Sequence, residues 1–234
     1  NWPDDFFQTS TELGYHNYNI GTGTSLFGLP PGVSQQVSVK QTLNRNSVDN
    51  PMFPTSGSQF SLSFEVAPPF QEFIQYHKTE LSTAWHTPLI GDLTFSVEAD
   101  YGFLGSLSGD RVDFERYLVG GTPLQARGFT FGKDLQYMRG YPLQAISPRR
   151  DGEAVGGTIL NKYSAEIRVL GIDSPQLRLA PYLFFDAANT WNNFGSYNPA
   201  ELYRSAGIGA KVFLPILGMV ELSYGYNFDR FPAN

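Results

Sequence analysis

Apolar and polar residues alternate along most of this chain. From Asp92 to Phe103, Leu93, Phe95, Val97, Ala99, Tyr101 and Phe103 share one face, and Asp92, Thr94, Ser96, Glu98 and Asp100 share the other. Ser58–Ala67 sets Phe60, Leu62, Phe64 and Val66 against Gln59, Ser61, Ser63 and Glu65. Met219–Asp229 sets Val220, Leu222, Tyr224, Tyr226 and Phe228 against Glu221, Ser223, Asn227 and Asp229. Weaker versions cover 5–19, 33–45, 75–87, 158–169, 176–191 and 202–214. A period of two is the signature of a β-strand with two unlike faces. The pattern predicts nine strands and no helix.

Period two alone does not choose an architecture. A soluble sandwich buries its apolar face in a core, whereas a membrane barrel turns that face to lipid and keeps the polar one inside. Three features favour the membrane. The segments are long, enough for a tilted span. The polar faces carry a mixed-charge set, Glu12, Lys40, Lys78, Glu80, Glu98, Asp100, Lys162, Glu166, Arg168, Arg178, Asp186, Arg204, Lys211 and Glu221, which suits a wet interior. Large aromatics (Tyr15, Tyr18, Trp85, Tyr101, Trp191, Tyr224 and Tyr226) gather toward strand ends, where headgroups would meet them. Short links at 88–91, 170–175 and 215–217 alternate with longer ones at 20–32, 104–157 and 192–200, as when one rim has tight turns and the other loops. The segment Asp49-Asn50-Pro51-Met52-Phe53-Pro54-Thr55-Ser56-Gly57 falls on the short-turn rim, where its prolines reset the chain into the next strand.

Composition agrees. Aromatics make up 15% and charged residues 16% of the 234 residues, with 24 glycines and 16 prolines, a mix suited to many strands and turns. Mean hydropathy is −0.24, compatible with a barrel because only every second strand residue faces lipid. No apolar run approaches the roughly 18 residues of a transmembrane helix. A net charge of −6 supplies no basic footprint, so nucleic acid is not an expected partner. Cysteine is absent, and His16, His77 and His86 form no ligand spacing, so neither a metal nor another cofactor is expected. Asn1-Trp2-Pro3-Asp4 has neither the basic start nor the apolar core of a signal peptide, so the chain is expected to be mature or internal. Nine is an odd count, and a barrel must close, so a piece of a larger barrel is expected.

The connection 104–157 is far longer than an ordinary loop, a length that marks functional or disordered segments. It holds Phe114, Tyr117, Leu118, Phe129, Phe131, Tyr137, Met138 and Tyr141, too many large apolar groups to stay solvated. It also holds two similar tetrapeptides, Ala126-Arg127-Gly128-Phe129 and Met138-Arg139-Gly140-Tyr141.

The run Glu115-Arg116-Tyr117-Leu118-Val119-Gly120-Gly121, then Met138-Arg139-Gly140-Tyr141, then Gly156-Gly157, resembles the sixth extracellular loop of the BamA outer-membrane insertase superfamily. Asn161-Lys162-Tyr163-Ser164-Ala165-Glu166-Ile167-Arg168 is similar to the strand after that loop, Phe184-Phe185-Asp186-Ala187-Ala188-Asn189-Thr190-Trp191 to the next, and Arg204-Ser205-Ala206-Gly207-Ile208-Gly209 to the start of the one after. Asn50-Pro51-Met52-Phe53-Pro54-Thr55-Ser56-Gly57 is similar to an earlier periplasmic turn. The resemblance implies an all-β fold: residues 1–234 as the C-terminal portion of one antiparallel transmembrane β-barrel, about nine strands of roughly sixteen, with 104–157 folding into the lumen. It implies that Arg139, Gly140 and Tyr141 form the loop tip and that Arg139 meets carboxylates of the wall, Glu166 and Asp186. Alternation independently turns both carboxylates inward, on neighbouring strands, within reach of one planar guanidinium. Arg127, Gly128 and Phe129 are the alternative tip.

The resemblance further implies a non-enzymatic insertase in the outer membrane of a Gram-negative bacterium. Its expected partners are outer-membrane lipids, nascent β-barrel proteins and accessory periplasmic or lipoprotein subunits. A polypeptide-secreting transporter of the same superfamily and a passive porin are the rivals. An outer-membrane phospholipase would need a serine motif beside His77 or His86; Ser82 is near in sequence, but Gly-x-Ser-x-Gly is absent.

Overall fold

The computed structural model describes residues 5–21, 32–70, 73–108, 112–123, 125 and 134–230. Nine long strands dominate it: β1 Phe7–Ile20, β2 Gly32–Asn46, β3 Gly57–Ala67, β4 Tyr76–Pro88, β5 Leu93–Gly105, β6 Ile159–Val169, β7 Arg178–Trp191, β8 Tyr203–Leu214 and β9 Gly218–Asn227. Each pairs antiparallel with its successor, so sequence order is spatial order from β1 to β9. A short strand, Ile172–Asp173, adds to the start of β7. Among the described residues there is no helix. The meander puts the links 47–56, 89–92, 170–177 and 215–217 on one rim and 21–31, 68–75, 106–158 and 192–202 on the other.

The two faces of this sheet differ as the alternation requires. One face presents Leu13, Val39, Leu62, Phe64, Trp85, Ile167, Leu183, Phe185, Ile208, Leu222 and Tyr224, all exposed. An apolar face left open on so many consecutive strands is a surface for lipid, not a core. The opposite, inner face carries paired charges: Lys40 with Glu80 (3.6 Å) and Lys162 with Asp100 (3.0 Å).

Three expectations fail locally. Arg204 is exposed on the outer side at the rim, paired with Asp229, while its neighbour Ser205 faces inward. Small residues on both faces of β8 blur its phase, and water at the rim tolerates the charge. Tyr18 turns inward and meets Phe114 edge-on at 4.9 Å rather than facing headgroups. Trp191 is covered by Tyr197 of the following loop, with centroids 4.9 Å apart.

The described residues of the connection between β5 and β6 lie against the inner face. Its short strands Tyr117–Val119 and Asp134–Gln136 pair in parallel, and Arg149–Arg150 pairs with Glu153–Ala154. Tyr117 and Gly157 exchange backbone hydrogen bonds of 2.9 Å, closing the base of the segment. Tyr117, Val119, Met138, Tyr141, Ala145 and Ile146 pack onto Ala67, Tyr76, Leu104, Leu160 and Ala188, the ends of five strands nearest the long-loop rim. A uniformly wet interior is therefore not what the inner face offers: its loop-rim end is dry, and the charged lining lies below. Gly120, at φ +122°, permits the close crossing there, since a Cβ would lie 2.4 Å from the Pro142 carbonyl oxygen.

Candidate functional site: the loop arginine and its cradle

Strand register builds the cradle in rows across β6, β7, β8 and β9. Ser164, Asp186, Ser205 and Asn227 form one row. Glu166, Phe184, Gly207 and Gly225 form the next, followed by Arg168, Tyr182, Gly209 and Ser223. Polar groups therefore alternate with aromatic rings that lie over glycines. A Cβ on Gly207 would come within 2.8 Å of Phe184, and one on Gly209 within 2.4 Å of Tyr182.

Into this cradle comes Arg139. Its Nε and Nη2 donate to the two oxygens of Asp186 at 2.8 and 2.7 Å, a bidentate pair. Nη1 donates to Glu166 at 3.2 Å and Nη2 also to Ser164 at 2.8 Å. The guanidinium lies 4.0 Å from the Phe184 ring centroid, a cation–π contact. Burial alone would lower the Arg139 pKa, but the hydrogen bonds it donates to Asp186 and its attraction to that carboxylate hold it above its ordinary value. Glu166 is shared, since Lys211 Nζ donates to both its oxygens (2.8 and 2.9 Å) and Arg168 to one (3.4 Å). Arg168 also donates to the Pro54 carbonyl, in the turn between β2 and β3. A chain of contacts thus runs from the loop of one rim to a turn of the other.

The residues around Arg139 seat the tip. Gly140 has φ +83°, and a Cβ there would meet that of Ser205 at 2.9 Å. Ser205 donates to the Arg139 carbonyl at 2.6 Å, and the Tyr141 hydroxyl donates to the Arg204 carbonyl at 3.0 Å. Asp229 beside it is held below the usual carboxylate range, chiefly by hydrogen bonds from Arg204. The structure brings together Arg139, Gly140, Tyr141, Glu166 and Asp186; Arg127, Gly128 and Phe129 lie outside the described residues.

Sequence reasoning did not single out Ser164, Tyr182, Phe184, Ser205 or Lys211 for this site. Ser164, Phe184 and Tyr182 share the phase of Glu166 and Asp186, so alternation carried that signal. It also missed a second cluster. Lys78 of β4, buried, meets Glu115 (3.2 Å), Asp134 and Glu80 (3.8 Å), with the Tyr117 ring 5.0 Å away. Burial pushes the Glu115 carboxyl up, against the pull of Lys78. No cluster of three or more His, Cys, Asp or Glu able to hold a metal occurs among the described residues.

A wall of antiparallel strands with an apolar outside, a charged inside and a loop latched within is that of a transmembrane β-barrel of the outer membrane. A family model described as the Omp85 superfamily domain matches residues 8–233, and the chain belongs to that superfamily. The outer membrane protein assembly factor BamA of Neisseria meningitidis serogroup B is 26% identical over 224 residues, covering 81% of this chain and 26% of that protein. The crystal structure of BamA from Haemophilus ducreyi lacking POTRA domains 1–3 superposes with a TM-score of 0.72 at 19% identity, covering 98% of this chain and 49% of that one. At that identity the likeness shows the fold. The chain spans about a quarter of the curated relative and about half of the crystallised one.

Proposed function

We propose that this barrel is an assembly factor that folds and inserts other β-barrel proteins into the outer membrane, working as a template and not as a catalyst. In this reading a lateral seam, formed with strands beyond β1–β9, offers a β-edge to which substrate strands add by main-chain hydrogen bonding. Nascent barrels, outer-membrane lipids and accessory periplasmic or lipoprotein subunits are its partners. The long-loop rim faces the cell exterior, and the 104–157 loop folds from there into the lumen. Membership of the Omp85 superfamily, together with the relative named as an assembly factor, supports the reading.

The site fits it. Arg139 grips β6 and β7 directly and its carbonyl accepts from Ser205 of β8, while Gly140 lies against Gly225 of β9 and the Tyr141 hydroxyl reaches the Asp229 carbonyl just beyond. That latch holds four strands in register while a seam elsewhere in the wall opens. Packing of the loop against the inner face runs against a passive porin. Depletion of the protein in its host tests the proposal. The expected result is a simultaneous loss of many unrelated outer-membrane barrels. Normal barrel levels with loss of one secreted polypeptide would instead identify a secretion transporter.

A further inference from the structure

Two of the four short turns end in bare aliphatic side chains, and a third carries one just before its tip. Ile90 is 84% and Ile216 95% exposed, with Leu89 and Leu217 exposed beside them, and Ile172 is exposed on the short strand that leads into the 174–176 tip. They occupy consecutive turns of the rim, β4–β5, β6–β7 and β8–β9. The fourth turn, β2–β3, is built differently. Asp49 accepts from the Thr55 and Ser56 amides (2.8 and 3.0 Å) and Asn50 from those of Met52 and Phe53 (2.9 and 3.1 Å); Phe53 is buried, and the exposed Met52 is flanked by these polar caps. Turns standing in water have no reason to carry bare isoleucine or leucine on three hairpins in succession.

The lipid-facing wall supplies the reason, because its apolar surface runs over the strand ends onto these turns without a polar break. Ile167 leads to Ile172, and Leu222 leads to Leu217 and Ile216, all of them exposed. Span lengths agree. Tyr101 and Tyr163 pack edge-to-face at 5.7 Å on the outer wall, and Tyr226 is exposed on β9. At about 3.3 Å per residue and a tilt of about 40°, a strand advances about 2.5 Å per residue along the membrane normal. Tyr101 to Ile90, Tyr163 to Ile172 and Tyr226 to Leu217 then measure about 28, 23 and 23 Å, against an apolar band about 25 Å tall. The three turns fall at the far edge of the band that the tyrosines begin. Polar neighbours fix the depth: Asp92 is exposed beside Ile90, and Asp173 is paired with Arg178 at 2.8 Å. Such groups fit the headgroup layer and not the hydrocarbon.

We propose that the β4–β5, β6–β7 and β8–β9 turns are seated in the bilayer at the headgroup–acyl boundary, whereas the β2–β3 turn stands in water. The lipid surface is the partner of this rim, and the barrel sits deeper along β4–β9 than at β2–β3. The inference rests on the membrane barrel and not on the insertase reading, so either can fail alone.

Residues 1–234 contain no cysteine, and any cysteine elsewhere in the full-length protein is replaced by serine before labelling. Ile90→Cys, Ile216→Cys and Asn50→Cys variants of the full-length protein, each carrying bimane, are placed in nanodiscs whose two faces both meet solvent. Quenching is compared between iodide in water and phosphatidylcholine brominated near the top of its acyl chains. Lipid quenching at 90 and 216 several-fold above that at 50, with iodide in the reverse order, is the expected result. Iodide quenching at either isoleucine position as strong as at 50 overturns the proposal. So does silence toward both quenchers, which would mean that a protein segment covers the turn.

Discussion

Arg139 is buried with its charge, and a buried charge is tolerated only when its partners are complete. Asp186 and Glu166 are more deeply buried than the arginine they hold, with side chains 4% and 9% exposed. Arg139→Ala therefore leaves the Asp186 carboxylate without its bidentate partner, while Glu166 keeps Lys211 and Arg168. It should destabilise the barrel by about 3–5 kcal/mol, read as a lower unfolding temperature on semi-native gels. Arg139→Lys should recover little of this, because an ammonium cannot reproduce the two-point contact with Asp186. Unchanged heat resistance in both variants would remove the latch from the account. Gly140→Ala places a methyl against Ser205 at a positive φ and should cost about 1–3 kcal/mol, measured in the same way. At Asp49, burial pushes the carboxyl up, but hydrogen bonds from the Thr55 hydroxyl and the Ser56, Thr55 and Asn50 amides outweigh it and hold the pKa at about 2. A carboxyl lowered from 3.8 contributes stability that is fully present above pH 4 and is lost as pH falls through about 2. The parent should thus be more stable than Asp49→Asn at pH 6, by less than about 1 kcal/mol because the group is exposed. That difference should vanish below about pH 2.

At the scale of elements, the long loop is held to the wall at two places. Arg139 ties it to β6–β9, and Lys78 ties two of its stretches, at Glu115 and Asp134, to β4. The apolar cluster around Tyr117 and Met138 spans the distance between them. Lys78→Met strands Glu115 and Asp134 together, while Glu80 keeps Lys40; because Asp134 remains partly open to water, the cost should be about 1–3 kcal/mol. Limited proteolysis should find new cleavage between residues 112 and 123 in that variant, with 138–150 still protected. Cleavage spread equally over both stretches would mean that the loop is held as one unit.

For the whole molecule, the loop docked on the inner face predicts a lumen that conducts poorly. The full-length protein in planar bilayers should pass little current, and a Lys78→Met, Arg139→Ala double variant should pass several-fold more. Equal, large conductance in both would return the porin reading to consideration. The same packing joins the rims: Arg139, Glu166, Arg168 and the Pro54 carbonyl form a continuous line of contacts.

Nine strands, their two-faced character and the inward phase of Glu166 and Asp186 were legible in the residues alone. Alternation is a local property, written by which side of each strand meets lipid. The long loop was legible by its length, and the tip Arg139, Gly140 and Tyr141 by resemblance. The rows that complete the cradle were not, because Ser164, Asp186 and Ser205 become neighbours only through register between strands. Lys78, Glu115 and Asp134 lie far apart in sequence, so only the docked loop brings them together. Tyr18 and Trp191 took unexpected surroundings for the same reason: Phe114 and Tyr197, which cover them, reach them through loops. Period sets which way a side chain points, and what it meets there depends on chain that arrives from elsewhere.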